Sequence, residues 1–330
     1  MADEYKPVCR TFPRREVRGR PWYAGARLRG PRSSGKEHDT TAFALSLVLA
    51  SGFLHALWNL LAKRASGDAS GPAFVWLYSA LSTAIFAPLA AGVVVLGGAR
   101  LGAVGLAFVL GTGALHVGYF LSLQKGYQVG DLSVVYPLAR GVGPLLASGV
   151  GILLLGERAG PVAVTGIFLI VLGVFLLTWE PGAAGGPAGK RWPGVTFGLL
   201  TGLFVAAYTL WDKHAVSGLA LSPILYYWGS LFVQTVALLP VALWRRGEIR
   251  AAWRARRTET LGVAVLSPLA YFLVLTALVF APVSRVAPAR EIGILIGTLL
   301  GGRLLAEGAL EQRLLASACM VLGIIAVAAG

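Results

Sequence analysis

The sequence predicts an all-α integral membrane protein of ten transmembrane helices, arranged as two inverted five-helix repeats. Three observations lead there. Of the 330 residues, 56% are hydrophobic and only 13% are charged, and the mean hydropathy is +0.71. A water-soluble chain of that composition would lack the polar side chains to cover its exterior. Apolar runs of about 20 residues recur along the chain, enough to cross about 30 Å of hydrocarbon as helix. They show no period-2 alternation, so helices rather than a barrel satisfy the backbone inside the bilayer. Finally, the chain repeats itself at an offset of 150 residues.

The repeat is clearest in the stretch VYPLARGVGPLLASGVGILLLGE, residues 135–157. Its Arg140 corresponds to Arg290, and its small residues Gly143, Ala147 and Gly151 correspond to Gly293, Gly297 and Gly301. Its terminal Glu157 corresponds to Glu307. One shared arginine would mean little. A shared arginine, a small-xxx-small row and a shared glutamate in one register define a repeat. Elsewhere Gly52, Ala56, Lys63 and Ala65 fall on Gly202, Ala206, Lys213 and Ala215. Val171, Leu172 and Gly173 fall on Val321, Leu322 and Gly323.

Taken in order, residues 1–40 form a basic Arg/Pro/Gly tail, expected to be disordered and without the apolar core of a signal peptide. Residues 41–179 form the first repeat, with spans at 41–62, 73–97, 101–124, 132–155 and 161–179. Residues 180–192 are a Gly/Ala/Pro linker. Its Gly-Lys pair makes no phosphate loop, because Ala184 and Arg191 stand where that motif needs Gly and Ser/Thr. Residues 193–330 form the second repeat, with spans at 193–211, 222–244, 260–281, 284–305 and 314–330. Trp179, Trp192, Trp211, Trp228 and Trp244 fall near span ends, where interfacial anchors belong.

Five spans per unit is an odd number, so the second copy inserts upside down and a pseudo-twofold axis lies in the membrane plane. Net charge is +14, with ten Lys/Arg in the first 40 residues and six Arg between Arg245 and Arg257. These read as topology signals and contacts to anionic lipid headgroups, not as a nucleic-acid surface. Loop charges favour both termini outside, twelve basic residues against seven. Cys9 and Cys319 have no CxxC partner and predict neither disulfide framework nor metal site, and no cofactor is expected.

The wording HALWNLLAK at residues 55–63, GDLSVVYPLARGVGP at 130–144 and APAREIG at 287–293 resembles the EamA family of the drug/metabolite transporter superfamily. The resemblance covers residues 41–330. It implies a ten-helix inverted repeat with a central cavity lined by spans one, three, four, six, eight and nine. It also implies a transporter of metabolites, amino acids or drugs, commonly with cytoplasmic termini, which opposes the loop count.

Intramembrane charges are costly and mark functional positions. Arg140 and Arg290 are candidate anchors for an anionic substrate group, because guanidinium presents a planar fork to carboxylate or phosphate. The alternative for each is a structural ion pair. Glu291 is a candidate proton-coupling carboxylate or an ion-pair partner. His55, Trp58 and Asn59 share one face of span one, and His116 and Tyr119 one face of span three. With Tyr136, Tyr208 and Tyr271 they are candidate cavity walls; interhelical packing is the alternative. The small-residue rows of spans four and nine are expected to be packing faces. Membrane-crossing parity puts Lys63 beside Glu307 and Lys213 beside Glu157, two expected ionic gates, one at each cavity mouth.

The function these features imply is a secondary transporter moving a small organic solute by alternating access, outward by resemblance, in a bacterial plasma membrane. A coupling proton or ion and membrane lipids are its expected partners besides the solute. The competing class is a membrane-embedded enzyme acting on a lipid. The chain lacks HExxH, GxSxG and paired intramembrane acids, and no enzymatic activity is expected.

Overall fold

The computed structural model describes residues 34–66, 71–154, 160–178, 192–280 and 291–329. All regular structure among them is helical. The first half holds α1 (Ser34–Ala65), α2 (Gly71–Val95), α3 (Ala103–Val129), α4 (Leu132–Leu154) and α5 (Pro161–Thr178). The second half opens with α6 (Trp192–Lys213), which runs into a π-helical turn, His214–Gly218. It continues as α7 (Pro223–Ala237), α8 (Leu239–Trp244), α9 (Arg246–Phe280), α10 (Ile292–Leu304) and α11 (Leu310–Ala329). Six stretches are long and apolar enough to cross a membrane, in α1, α2, α3, α6, α9 and α11. Shorter apolar helices occupy Pro161–Leu176 and Ile292–Leu304.

Three boundaries differ from the sequence reading, each for a local reason. The seventh span, expected as one helix over 222–244, breaks at Leu238 between α7 and α8. Pro240, the second residue of α8, has no N–H to continue the upstream ladder. The arginine-rich stretch expected as a loop is helical and joins the eighth span in α9, with a break at Arg256 (φ −136°, ψ 37°). Its Arg, Ala and Glu residues are good helix formers. α1 begins at Ser34, so residues 34–40 of the segment assigned to a disordered tail are helical.

Helix packing maps onto itself when the halves are exchanged. The correspondence is α1 with α6, α2 with α7, α3 with α9, α4 with α10 and α5 with α11. α1 packs on α9, and its counterpart α6 packs on α3. α4 packs on α6, as α10 packs on α1; α2 packs on α9, as α7 packs on α3. The pairs α5–α11, α2–α7 and α4–α10 are each their own counterpart.

Lipid offers no hydrophobic drive between helices, so close association depends on small residues that let backbones approach. The α5–α11 contact shows this. A Cβ on Gly166 would lie 2.6 Å from the Gly323 carbonyl oxygen, and a Cβ on Gly323 would lie 2.6 Å from that of Gly166. Gly323→Ala is therefore expected to force these helices apart and cost about 1–3 kcal/mol. Gly92→Ala, where a Cβ meets nothing within 4 Å, is the matched control. Denaturant unfolding in mixed micelles checks this; equal stability of the two variants would refute the close-packing account.

Candidate functional site

The site is built around Arg140 of α4. It lies eight residues past the helix start at Leu132, about 12 Å along the helix axis. Its Nε lies 3.2 Å from Oε2 of Glu291, and the two side chains are 3% and 1% exposed. Glu291 is the N-cap residue of α10, where the helix dipole favours a negative charge. Arg140 Nη2 is buried and has no hydrogen-bond partner among the described residues. Leaving such a donor unpaired in a low-dielectric interior is costly.

One turn before Arg140, the Tyr136 ring fills the space above Gly297 of α10. A Cβ on Gly297 would lie 2.5 Å from two of its ring carbons. On α4, Gly143 meets Val205 of α6 in the same way. The described part of the small-residue rows thus packs, and in packing it sets the α4–α10 distance at which Arg140 reaches Glu291. Tyr119, Tyr136 and Tyr208 are close enough to Arg140 to interact with it electrostatically.

Tyr119 and Tyr208 also belong to a second cluster, an aromatic box around His116 of α3. The His116 ring stacks on Tyr208 at 4.4 Å and meets Tyr227, Tyr271 and Tyr119 at 5.5, 5.6 and 6.1 Å. Behind the box sits Asp212 of α6, 1% exposed. Tyr226 donates to its Oδ1 at 2.6 Å and Tyr271 to its Oδ2 at 2.5 Å. On the α1 side, Trp58 packs edge-on against Phe120 at 6.0 Å and lies 6.2 Å from the His55 ring. Trp58 Nε1 is a second buried donor with no partner among the described residues.

Asn59 is structural. Its Nδ2 donates to the His55 carbonyl at 2.6 Å, and its Oδ1 accepts from Tyr127 of α3 at 2.5 Å. His55 Nδ1 lies 2.8 Å from the Ser51 carbonyl oxygen. The Tyr127 bond ties α1 to α3, and the other two lie within α1.

The expected Lys63–Glu307 ion pair is not formed. Both side chains bind the α3–α4 junction instead. Lys63 Nζ donates to the carbonyls of Tyr127 (2.7 Å) and Gly130 (2.6 Å), at the C-terminal end of α3. Glu307 accepts from the backbone N–H groups of Leu132 (2.8 Å) and Ser133 (2.9 Å), the first turn of α4, and from the Ser133 hydroxyl. Each charge meets the helix terminus of opposite polarity, where backbone groups lack intrahelical partners. Arg313 of α11 completes the cluster, 2.8 Å from Asp131 and 3.7 Å from Glu307. Glu307 is delivered by a tight turn with Ala306 and Ala309 at φ 52° and 55°. Lys213, the repeat counterpart of Lys63, is exposed. Glu157 and Arg290 lie outside the described residues.

Of the cavity candidates the sequence offers, Glu291, Tyr119, Tyr136 and Tyr208 lie near Arg140, and Tyr119, Tyr208 and Tyr271 lie around His116. Sequence reasoning missed Asp212, Tyr226 and Tyr227. Asp212 lies beside the span end at Trp211, and its repeat counterpart is Ala62, so symmetry gives no signal. Asp131 and Arg313 are absent from the sequence-derived candidates as well.

A chain whose described residues are helical, with six membrane-length apolar helices, is a multi-pass membrane protein. The model of the EamA-like transporter family matches residues 42–179 and again residues 192–329. The chain belongs to that family, within the drug/metabolite transporter superfamily. No curated protein sequence matches it. A solved crystal structure 17% identical in sequence covers 88% of this chain and 97% of its own chain at a TM-score of 0.51, a likeness of fold.

Removing one member of a buried pair strands the other. Glu291→Ala is expected to cost about 3–5 kcal/mol, while the double change Arg140→Met with Glu291→Met recovers most of that loss. A double-mutant cycle by denaturant unfolding measures it. Additive losses would show that the two groups do not support each other.

Proposed function

We propose that this protein is a ten-helix secondary transporter, with residues 41–179 and 193–330 as two inverted five-helix units. We read it as carrying a small organic solute with an anionic group across a bacterial plasma membrane by alternating access. The exchange symmetry of the helix packing supports the inverted repeat. One observation carries the substrate class. Arg140 sits deep in α4, 3% exposed, with one nitrogen at Glu291 and Nη2 lacking a hydrogen-bond partner among the described residues. A structural pair would use that donor. A binding site holds it ready for a carboxylate or phosphate, and Glu291 keeps the guanidinium tolerable when no solute is present.

The gate reading changes form. Lys63 and Glu307 clasp the α3–α4 junction from both sides, and Lys213 at the other mouth is exposed. We read this as the state with the Lys63 mouth shut. Each clasp uses charge-assisted bonds to backbone groups at helix termini. The outward direction rests on the family resemblance alone. No step here calls for a cofactor or a chemical conversion of the solute.

Purified protein in liposomes loaded with a mixture of amino acids and organic acids tests the reading, with efflux read by mass spectrometry. The wild type is expected to move at least one carboxylate-bearing solute. Arg140→Met is expected to lower that flux at least about tenfold, the loss of one charge-assisted contact, with yield and unfolding profile retained. Undiminished flux in Arg140→Met would refute the anchoring role.

A further inference from the structure

Within the aromatic box, the residue at the centre is itself a base. His116 Nδ1 lies 2.9 Å from the Thr112 carbonyl oxygen, which can only accept, so Nδ1 carries the hydrogen. Nε2 therefore holds the lone pair. The ring stacks on the face of Tyr208 from α6 and meets Tyr227 from α7, Tyr271 from α9 and Tyr119 from its own helix in edge-type contacts. A stacked tyrosine face attracts a cation more than a neutral ring.

The charge around the box points the same way. Asp212 is buried, and both its oxygens accept from tyrosine hydroxyls, Tyr226 and Tyr271. Among the described residues, no cation pairs with it. It is close enough to His116 for electrostatic interaction. Beyond Tyr119 stand Tyr78 of α2, Arg140 of α4 and, past Trp58, His55 of α1. The Arg140 charge is matched by Glu291 at 3.2 Å. Among the described residues this buried carboxylate, solvated by neutral hydroxyls beside the aromatic box, has no counter-ion, and unpaired buried charge is costly.

We propose that His116 is a proton-binding site. Its Nε2 takes up a proton to place an imidazolium inside the Tyr119/Tyr208/Tyr227/Tyr271 box, with Asp212 as counter-charge. The proton adds to the Nε2 lone pair, no other bond breaks, and release restores the Nδ1–H tautomer. Tyr208 and Tyr119 touch both this box and the surroundings of Arg140. Protonation at His116 and solute binding at Arg140 thus share two side chains, which makes the proton the coupling ion. That last step rests on the transporter reading; the proton site itself does not.

The test uses the full chain in lipid nanodiscs with 15N-labelled histidine, titrated from pH 5 to 9 by NMR. His116→Asn assigns the resonances. The wild type is expected to show His116 as the Nδ1–H tautomer at the alkaline end and as imidazolium at the acid end. Asp212→Asn removes the counter-charge and is expected to move the midpoint down by about one to three pH units. A His116 that stays neutral over the whole range overturns the proposal, and so does a midpoint unchanged in Asp212→Asn. The wild-type titration decides the first point even if that variant fails to fold. Titration without any solute flux from liposomes supports the site and counts against the transporter reading. Flux with His116 neutral throughout does the reverse.

Discussion

A guanidinium buried inside a protein needs a counter-charge, and the contact between Arg140 and Glu291 supplies it. Much of the packing serves that contact. α4 and α10 must approach closely for a side chain on one to reach the N-cap of the other. The glycines of α10 permit this, because Tyr136 occupies the volume that a larger residue at 297 would fill. The pair thus links sequence pattern to energetics. The small residues are there for packing, and the packing places two charges where neither would be stable alone.

The two ends of the molecule differ although the sequence repeat is symmetric. At the α3–α4 junction, Lys63, Glu307 and Arg313 converge on the backbone of residues 127–133. The counterpart Lys213 is exposed. The repeat also carries unmatched chemistry. Asp212 and Tyr226 stand in the second half and His116 in the first, with no counterparts of the same type at Ala62, Trp76 and Leu266. An inverted repeat supplies two equivalent scaffolds, and residues placed in one alone give the halves different tasks.

Much of this was legible in the sequence, for identifiable reasons. Apolar runs of membrane length and the 150-residue offset gave the helices and their correspondence, because bilayer thickness fixes span length. The buried charges Arg140 and Glu291 stood out because charge inside an apolar run is rare. What failed was local. The break at Leu238 followed from Pro240, and the helicity of the arginine stretch from propensity; both signals were present and outweighed by hydropathy. The gate failed for a deeper reason. Parity placed Lys63 and Glu307 on one face, as the structure does. Yet pairing charges by sign ignores the backbone, and unsatisfied carbonyls and amides at helix ends compete with any side chain. Asp212 was overlooked because a carboxylate near a span end looks interfacial until its tyrosine partners, on α7 and α9, are seen.

The central claim is that the buried guanidinium at Arg140 binds the anionic group of a solute. Ligand-induced stabilisation of the purified protein tests it most directly, using matched pairs of small solutes that differ as carboxylate and neutral amide. A ligand that binds the folded state raises its unfolding temperature with concentration. The account predicts stabilisation by one or more carboxylates, none by their amides, and loss of the effect in the Arg140→Met, Glu291→Met double variant. Equal stabilisation by carboxylate and amide, or stabilisation that survives in the double variant, would contradict it.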